Sequence, residues 1–200
     1  TERKTYDDAG KLVEHQVTDN HKFDARGNVL DQTTTSFDES GALLETVKTT
    51  NADFTSRGNP RSTVRETFDD KGALIDRQEI ANSKFDSKGN VLEQTIITKD
   101  DAGVVTDKQV IVNSGFDSRG NAAKTERKRY DPETKDLIDI QETTNLLFDA
   151  RRNVLSQVVE TKDADGVLID KVEVTNSGFD SRGNAGKVTR LSYDDKGKLL

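Results

Sequence analysis

The sequence predicts an all-β chain of tandem antiparallel β-hairpin repeats that form an elongated β-sheet array or solenoid. Three observations predict it. A turn motif recurs along the whole chain: an aromatic or Lys, then Asp or Thr, two residues, and usually Gly. The segments between turns are rich in Thr, Val and Ile and flanked by Leu, as in 104–112 and 154–161. None of them carries an apolar stripe at helical spacing.

The first residue of the motif is Tyr6, Phe23, Phe37, Phe54, Phe68, Phe85, Lys99, Phe116, Tyr130, Phe148, Lys162, Phe179 and Tyr193. Spacings of 17 and 14 alternate, with one extra residue near Pro132, so two unequal segments make a 31-residue unit. A longer period overlies it. Asn-Val-Leu follows the turns at Phe23, Phe85 and Phe148, whereas Asn-Pro or Asn-Ala follows those at Phe54, Phe116 and Phe179, giving a superperiod of 62 residues. Residues 1–200 therefore read as one continuous repeat array, with no separate globular domain. Tyr193 to Leu199 repeats the pattern of Tyr6 to Leu12, so both ends fall inside a repeat and further repeats are expected on each side.

Each turn is justified by its chemistry. Asp accepts hydrogen bonds from its own turn, and Gly27, Gly58, Gly89, Gly120 and Gly183 supply the left-handed residue that closes a type I turn with a bulge. In that geometry the aromatic lies opposite the second residue after Gly. Tyr6 should face Leu12, Phe23 Val29, Phe37 Leu43, Phe68 Leu74 and Phe85 Val91, each pair contributing roughly 0.2–1 kcal/mol.

The strands between turns pose a parity problem. Val29 and Phe37 are eight residues apart and share a face, but Leu43 and Phe54 are eleven apart. Either the faces swap every 31 residues or each longer strand contains a bulge. Asn20, Asn51, Asn82, Asn113, Asn145 and Asn176 stand three residues before Phe23, Phe54, Phe85, Phe116, Phe148 and Phe179. They are the natural bulge candidates, because Asn tolerates left-handed backbone. Thirteen strand-and-turn segments would give a ribbon or two-layered array roughly 60 Å long at ordinary strand spacing.

Composition narrows the function. Of 200 residues, 34% are charged and only 31% hydrophobic, which leaves little for a large core. The net charge of −7 is spread over mixed signs, which argues against a nucleic-acid partner. Apolar runs such as Val110-Ile111-Val112 are far too short for a membrane span. Absence of Cys and Met fits an oxidising exterior.

Candidate sites have competing readings. Arg3, Arg65, Arg127 and Arg190 recur with the superperiod, and Glu14, Glu45, Asp76, Asp107, Asp139 and Asp170 recur once per unit. They form either a docking ladder for a polyanion or neighbouring filament, or cross-strand ion pairs that protect sheet edges, which is the favoured reading. Arg26, Arg57, Lys88, Arg119, Arg151 and Arg182 stand beside Asp24, Asp86, Asp117, Asp149 and Asp180, as a glycan-binding tip or, more simply, as turn stabilisers. Asp163-Ala164-Asp165-Gly166 lacks the remaining oxygen ligands of a calcium loop. His15 and His21 have no partner at catalytic or metal-ligand spacing. Near-identical units do not assemble an asymmetric active site, so no enzyme and no cofactor are expected.

The turns Tyr6-Asp7-Asp8-Ala9-Gly10-Lys11-Leu12, Phe23-Asp24-Ala25-Arg26-Gly27-Asn28-Val29-Leu30 and Tyr193 to Leu199 resemble those of YD-repeat (Rhs-like) proteins. That family includes bacterial Rhs proteins, toxin-complex shell subunits and teneurins. The resemblance implies consecutive β-hairpins, a secreted or surface setting and, in some members, a spiral shell around a toxin. Here Phe often replaces Tyr, and the alternating spacing is longer than the family's. The expected role is the structural repeat region of an extracellular bacterial surface protein or filament, a stalk or fibre body that self-associates or continues into further repeats. Glycan-binding adhesin repeats and a toxin-enclosing YD-repeat shell are the alternatives.

Overall fold

A computed structural model describes residues 1–6, 10–180 and 183–200. It contains strands β1 (Glu2–Tyr6), β2 (Leu12–Phe23), β3 (Val29–Phe37), β4 (Leu43–Phe54), β5 (Pro60–Phe68), β6 (Leu74–Phe85) and β7 (Val91–Lys99). These continue as β8 (Val105–Ser114), β9 (Lys124–Tyr130), β10 (Leu137–Phe148), β11 (Val154–Asp163), β12 (Leu168–Ser177) and β13 (Lys187–Asp194). Strand order in the single open sheet is the chain order, β1 to β13. No described residue is helical, and no helix is long and apolar enough to cross a membrane.

The chain forms two compact units, Thr1–Asn82 with Ile96–Asp107 and Ser83–Thr95 with Lys108–Leu200. Among the described residues, the inter-strand contacts in β1–β5 and in β9–β13 are between strands adjacent in the chain. Both faces stay partly wet. Among the described residues the only buried apolar side chains are Val47, at 8% exposure, and Val174, at 7%.

The turns follow the predicted chemistry. At Phe23 the Asp24 amide donates to the Asn28 carbonyl (2.9 Å) and the Gly27 amide to the Asp24 carbonyl (3.0 Å). The predicted cross-strand pairs Tyr6–Leu12, Phe23–Val29, Phe37–Leu43 and Phe68–Leu74 are formed. At Phe85 the same turn hydrogen bonds join Asp86, Gly89 and Asn90.

In β4 a single bulge answers the parity problem. In β4, Leu43 pairs with Phe37 and Glu45 with Ser36, so Leu44 is the extra residue. Val13, Ile75, Ile138 and Ile169 are skipped in the same way in β2, β6, β10 and β12. These bulges explain the paired apolar residues at the start of the longer strands. Of the Asn bulge candidates, Asn20 and Asn145 border a second register shift, directly after their pairs with Gln32 and Gln157, whereas Asn51, Asn113 and Asn176 stay in register opposite Thr63, Thr125 and Val188.

The superperiod is written in the backbone just beyond these Asn residues. In β2 and β10 the pairing skips His21 and Leu146. Where the alternate turn type follows, the chain instead uses a left-handed residue, Asp53 (φ 54°), Gly115 (φ 66°) or Gly178 (φ 66°). An extra residue and a left-handed residue are two ways of entering a turn at the end of a long strand.

Candidate functional site

Alternation along the in-register strands sorts side chains onto two chemically different faces. In the first unit one face carries the row Thr18, Thr34, Val47, Thr67 and, beside it, Gln16, Ser36 and Glu45. The opposite face carries Lys48, Glu66 and Arg77 in one row. The second unit repeats the division. Thr125, Thr143, Val159, Val172 and Ser192 line one face, and Glu126, Glu142, Glu160, Lys171 and Tyr193 the other.

Ion pairs populate the second face. Arg77 bridges Glu66 (2.9 Å) and Glu79 (3.2 Å), and Lys99 reaches Glu79 (2.7 Å). Glu142 is held between Lys124 (2.8 Å) and Lys162 (3.1 Å). The Lys124 hydrogen bond, reinforced by Lys162, keeps the Glu142 carboxyl below its ordinary pKa. Aromatic strand ends sit on this same face under ammonium groups. Lys48 lies 4.6 Å from the Phe68 ring centre, Lys108 5.3 Å from Tyr130 and Lys171 5.4 Å from Tyr193.

The recurring Arg residues do not fit the ion-pairing expectation. Arg65 lies opposite Thr49 and Gln78, and Arg127 opposite Ile111 and Gln141, on the polar face. Neither forms an ion pair with a described carboxylate. Their cross-strand neighbours are hydroxyl, amide and aliphatic side chains, while the ion pair on Arg127's face is formed by Arg129 and Asp139.

On the polar face of the first unit lies a recess of about 390 Å³. Gln16, Gln32, Thr34, Ser36 and Thr49 supply amides and hydroxyls to it, Glu45 and Arg65 supply one charge of each sign, and Val47 is its apolar patch. The Gln16 amide donates to Glu14 (3.0 Å) and Ser36 (3.3 Å), which fixes its orientation. Sequence reading by motif did not find this recess, because its residues come from four strands. A signal was present nonetheless: Gln16, Gln32, Ser36, Glu45 and Arg65 recur as Gln141, Gln157, Thr161, Asp170 and Arg190.

Five of the recurring Asn side chains bond to backbone carbonyls of the preceding strand or its approach. Asn51 donates its side-chain amide to the Val29 carbonyl (3.1 Å), Asn82 to Pro60 (2.9 Å), Asn113 to Val91 (3.1 Å), Asn145 to Ala122 (3.0 Å) and Asn176 to Val154 (2.9 Å). Each clamps the beginning of the strand before it. Thr63 and Thr125 hydroxyls donate back to Asn51 and Asn113 (2.8 Å each). Phe54 and Phe148 pair with Pro60 and Val154, and Phe116 and Phe179 stand between strand end and turn.

Turn tips are occupied by their own hydrogen bonds. Asp24 accepts from the Arg26 amide (2.8 Å), the Asn28 amide (2.9 Å) and the Asn28 side chain (2.7 Å). The Asn28 side chain is the chief cause of the lowered Asp24 pKa. Arg119 reaches the Ala150 carbonyl of the turn beside it (2.8 Å). Arg182 lies outside the described residues. Asp163 receives the Asp165 and Val167 amides (3.0 and 2.8 Å), and no group of three or more potential metal ligands occurs among the described residues. His15 lies 2.8 Å from Glu2 and stacks obliquely on Phe37 at 5.4 Å. His21 bonds to Thr33 at 2.9 Å.

No known family's model matches the sequence, and no curated protein matches it. Among solved structures, the chain is similar to chains in crystal structures of TcdB2-TccC3 and of TcdB2-TccC3-Cdc42. Identities are 12% and 14% and TM-scores 0.18 and 0.15. All of this chain is covered, but only 14% and 15% of those chains. At such scores the likeness assigns neither family nor function.

Proposed function

We propose that the chain is a structural repeat region of an extracellular bacterial surface protein or filament, acting as stalk or fibre body. One observation carries this reading: strand order in the sheet is chain order, and among the described residues the contacts in β1–β5 and β9–β13 join strands adjacent in the chain. Cohesion of that kind is a sum of nearest-neighbour terms, so repeats can be added or removed without redesigning a core. The covalent demands are correspondingly low. The chain needs no disulfide, and cross-strand Asn clamps, ion pairs and Asp-centred turns hold each repeat. Self-association or continuation into further repeats would act through the two open sheet edges, β1 and β13.

Negative-stain electron microscopy of a tandem dimer of the 200-residue chain tests the reading. A stalk doubles in length with the added copy, by about 4.8 Å per added strand. A closed, hollow particle would instead establish the shell of YD-repeat type and overturn the stalk.

A further inference from the structure

The recess on the polar face gathers amides, hydroxyls and one charge of each sign. We infer that it is a subsite for a neutral oligosaccharide. The inference stands apart from the stalk reading, since a fibre body and a shell could equally carry the site.

Sugar hydroxyls are donors and acceptors at once, and they are matched by groups offering both. Gln32 and Thr49 bring amide and hydroxyl groups to the recess, with Gln16 already oriented by Glu14 and Ser36. Arg65 forms no ion pair with a described carboxylate, so its guanidinium fork is open to two adjacent hydroxyls. Glu45 across the recess supplies the complementary acceptors. One positive and one negative group leave the recess with no net charge. A phosphate or sulfate polymer drawn to Arg65 would meet Glu45, whereas an uncharged polyol satisfies both. The volume of about 390 Å³ lies near the lower end of small-ligand clefts, about 300–1,000 Å³. Strand-borne side chains and the small apolar patch of Val47, 8% exposed, give a fixed floor for a ring's C–H face. No aromatic platform lines the recess, because Phe37 and Phe68 project from the opposite face. Affinity at one site is therefore expected near about 1 mM.

The test is an NMR titration of the isotopically labelled 200-residue chain with hexaoses of the malto, cello, manno and chito series, and with a heparin hexasaccharide as charged probe. At least one neutral hexaose should shift the Gln16 and Gln32 side-chain amide signals saturably. Arg65→Gln and Gln32→Ala should each weaken that binding about tenfold without changing the thermal melt, and the turn-tip variant Arg26→Ala should leave it unchanged. Should Arg65→Gln fail to fold, Gln32→Ala and the amide shifts decide alone. The inference is overturned if no neutral hexaose moves these amides at about 10 mM, ten times the expected constant. It is equally overturned if only heparin moves them, or if Arg26→Ala abolishes binding that Gln32→Ala spares.

Discussion

Two glycines that look identical in the sequence should differ sharply when replaced by alanine. Gly27 and Gly58 close successive turns on the same side of the sheet, with φ of 85° and 82°. A Cβ on Gly27 would meet nothing within 4 Å, whereas a Cβ on Gly58 would stand 2.6 Å from Oδ1 of Asn28. At the place equivalent to Gly27, the turn after Phe148 holds Arg152 at φ 78°, a full side chain in the same conformation. Gly27→Ala should therefore cost only the left-handed strain, about 1–2 kcal/mol. Gly58→Ala adds the displacement of the Asn28 amide, an overpacking cost of about 1–3 kcal/mol. Its total is thus about 2–5 kcal/mol. Urea unfolding followed by β-sheet circular dichroism measures both. A double-mutant cycle with Asn28→Ala should remove most of the difference, because the clash disappears with the amide. The reasoning fails if the two alanine variants agree within about 0.5 kcal/mol, or if Asn28→Ala leaves their difference intact.

Three further outcomes follow from the same geometry. Asn51→Ala removes the bonds to the Val29 carbonyl and from Thr63 and should cost about 1–3 kcal/mol in urea unfolding. Asn20→Ala, at an exposed position of β2, should cost under about 0.5 kcal/mol, and equal losses would refute the clamp. Stability should also fall in acid. Glu79, Glu142 and Asp24 have folded pKa values lowered chiefly by Lys99, Lys124 and Asn28 respectively. A carboxyl lowered on folding stabilises above its unfolded pKa, near 4.5 for Glu, and that contribution is lost as pH falls through the lower folded value. Urea midpoints should hold from pH 7 to about 5 and drop below about 4.5, with a shallower drop in Glu142→Gln. A midpoint independent of pH down to about 3 would contradict the assignment. Finally, Lys162→Gln should weaken the folded state less at 1 M salt than at low salt, since the Lys162–Glu142 pair is only partly shielded from solvent.

Local chemistry was legible because it is local. Asp, two residues and Gly fix a turn within five residues, and the turn fixes the register of Tyr6 on Leu12 and Phe37 on Leu43 without reference to anything distant. Periodicity then repeats that result along a sheet of thirteen strands. The Asn residues show where such reading stops. Their spacing marked them as special, but their partners, such as Val29 for Asn51, lie 22 residues away, and a bulge and a clamp leave the same trace in sequence.

The sequence by itself determined that the chain is β, where each turn falls and that the unit repeats, because hairpin geometry is encoded by neighbouring residues. Only the tertiary structure decided which face each side chain takes. A single extra residue such as Leu44 inverts every later side chain in its strand. Five such bulges set one face rich in Lys–Glu pairs and another rich in amides and hydroxyls, the second holding Glu45, Arg65 and the Arg129–Asp139 pair. The recess, and with it the binding chemistry, exists only once that sorting is done.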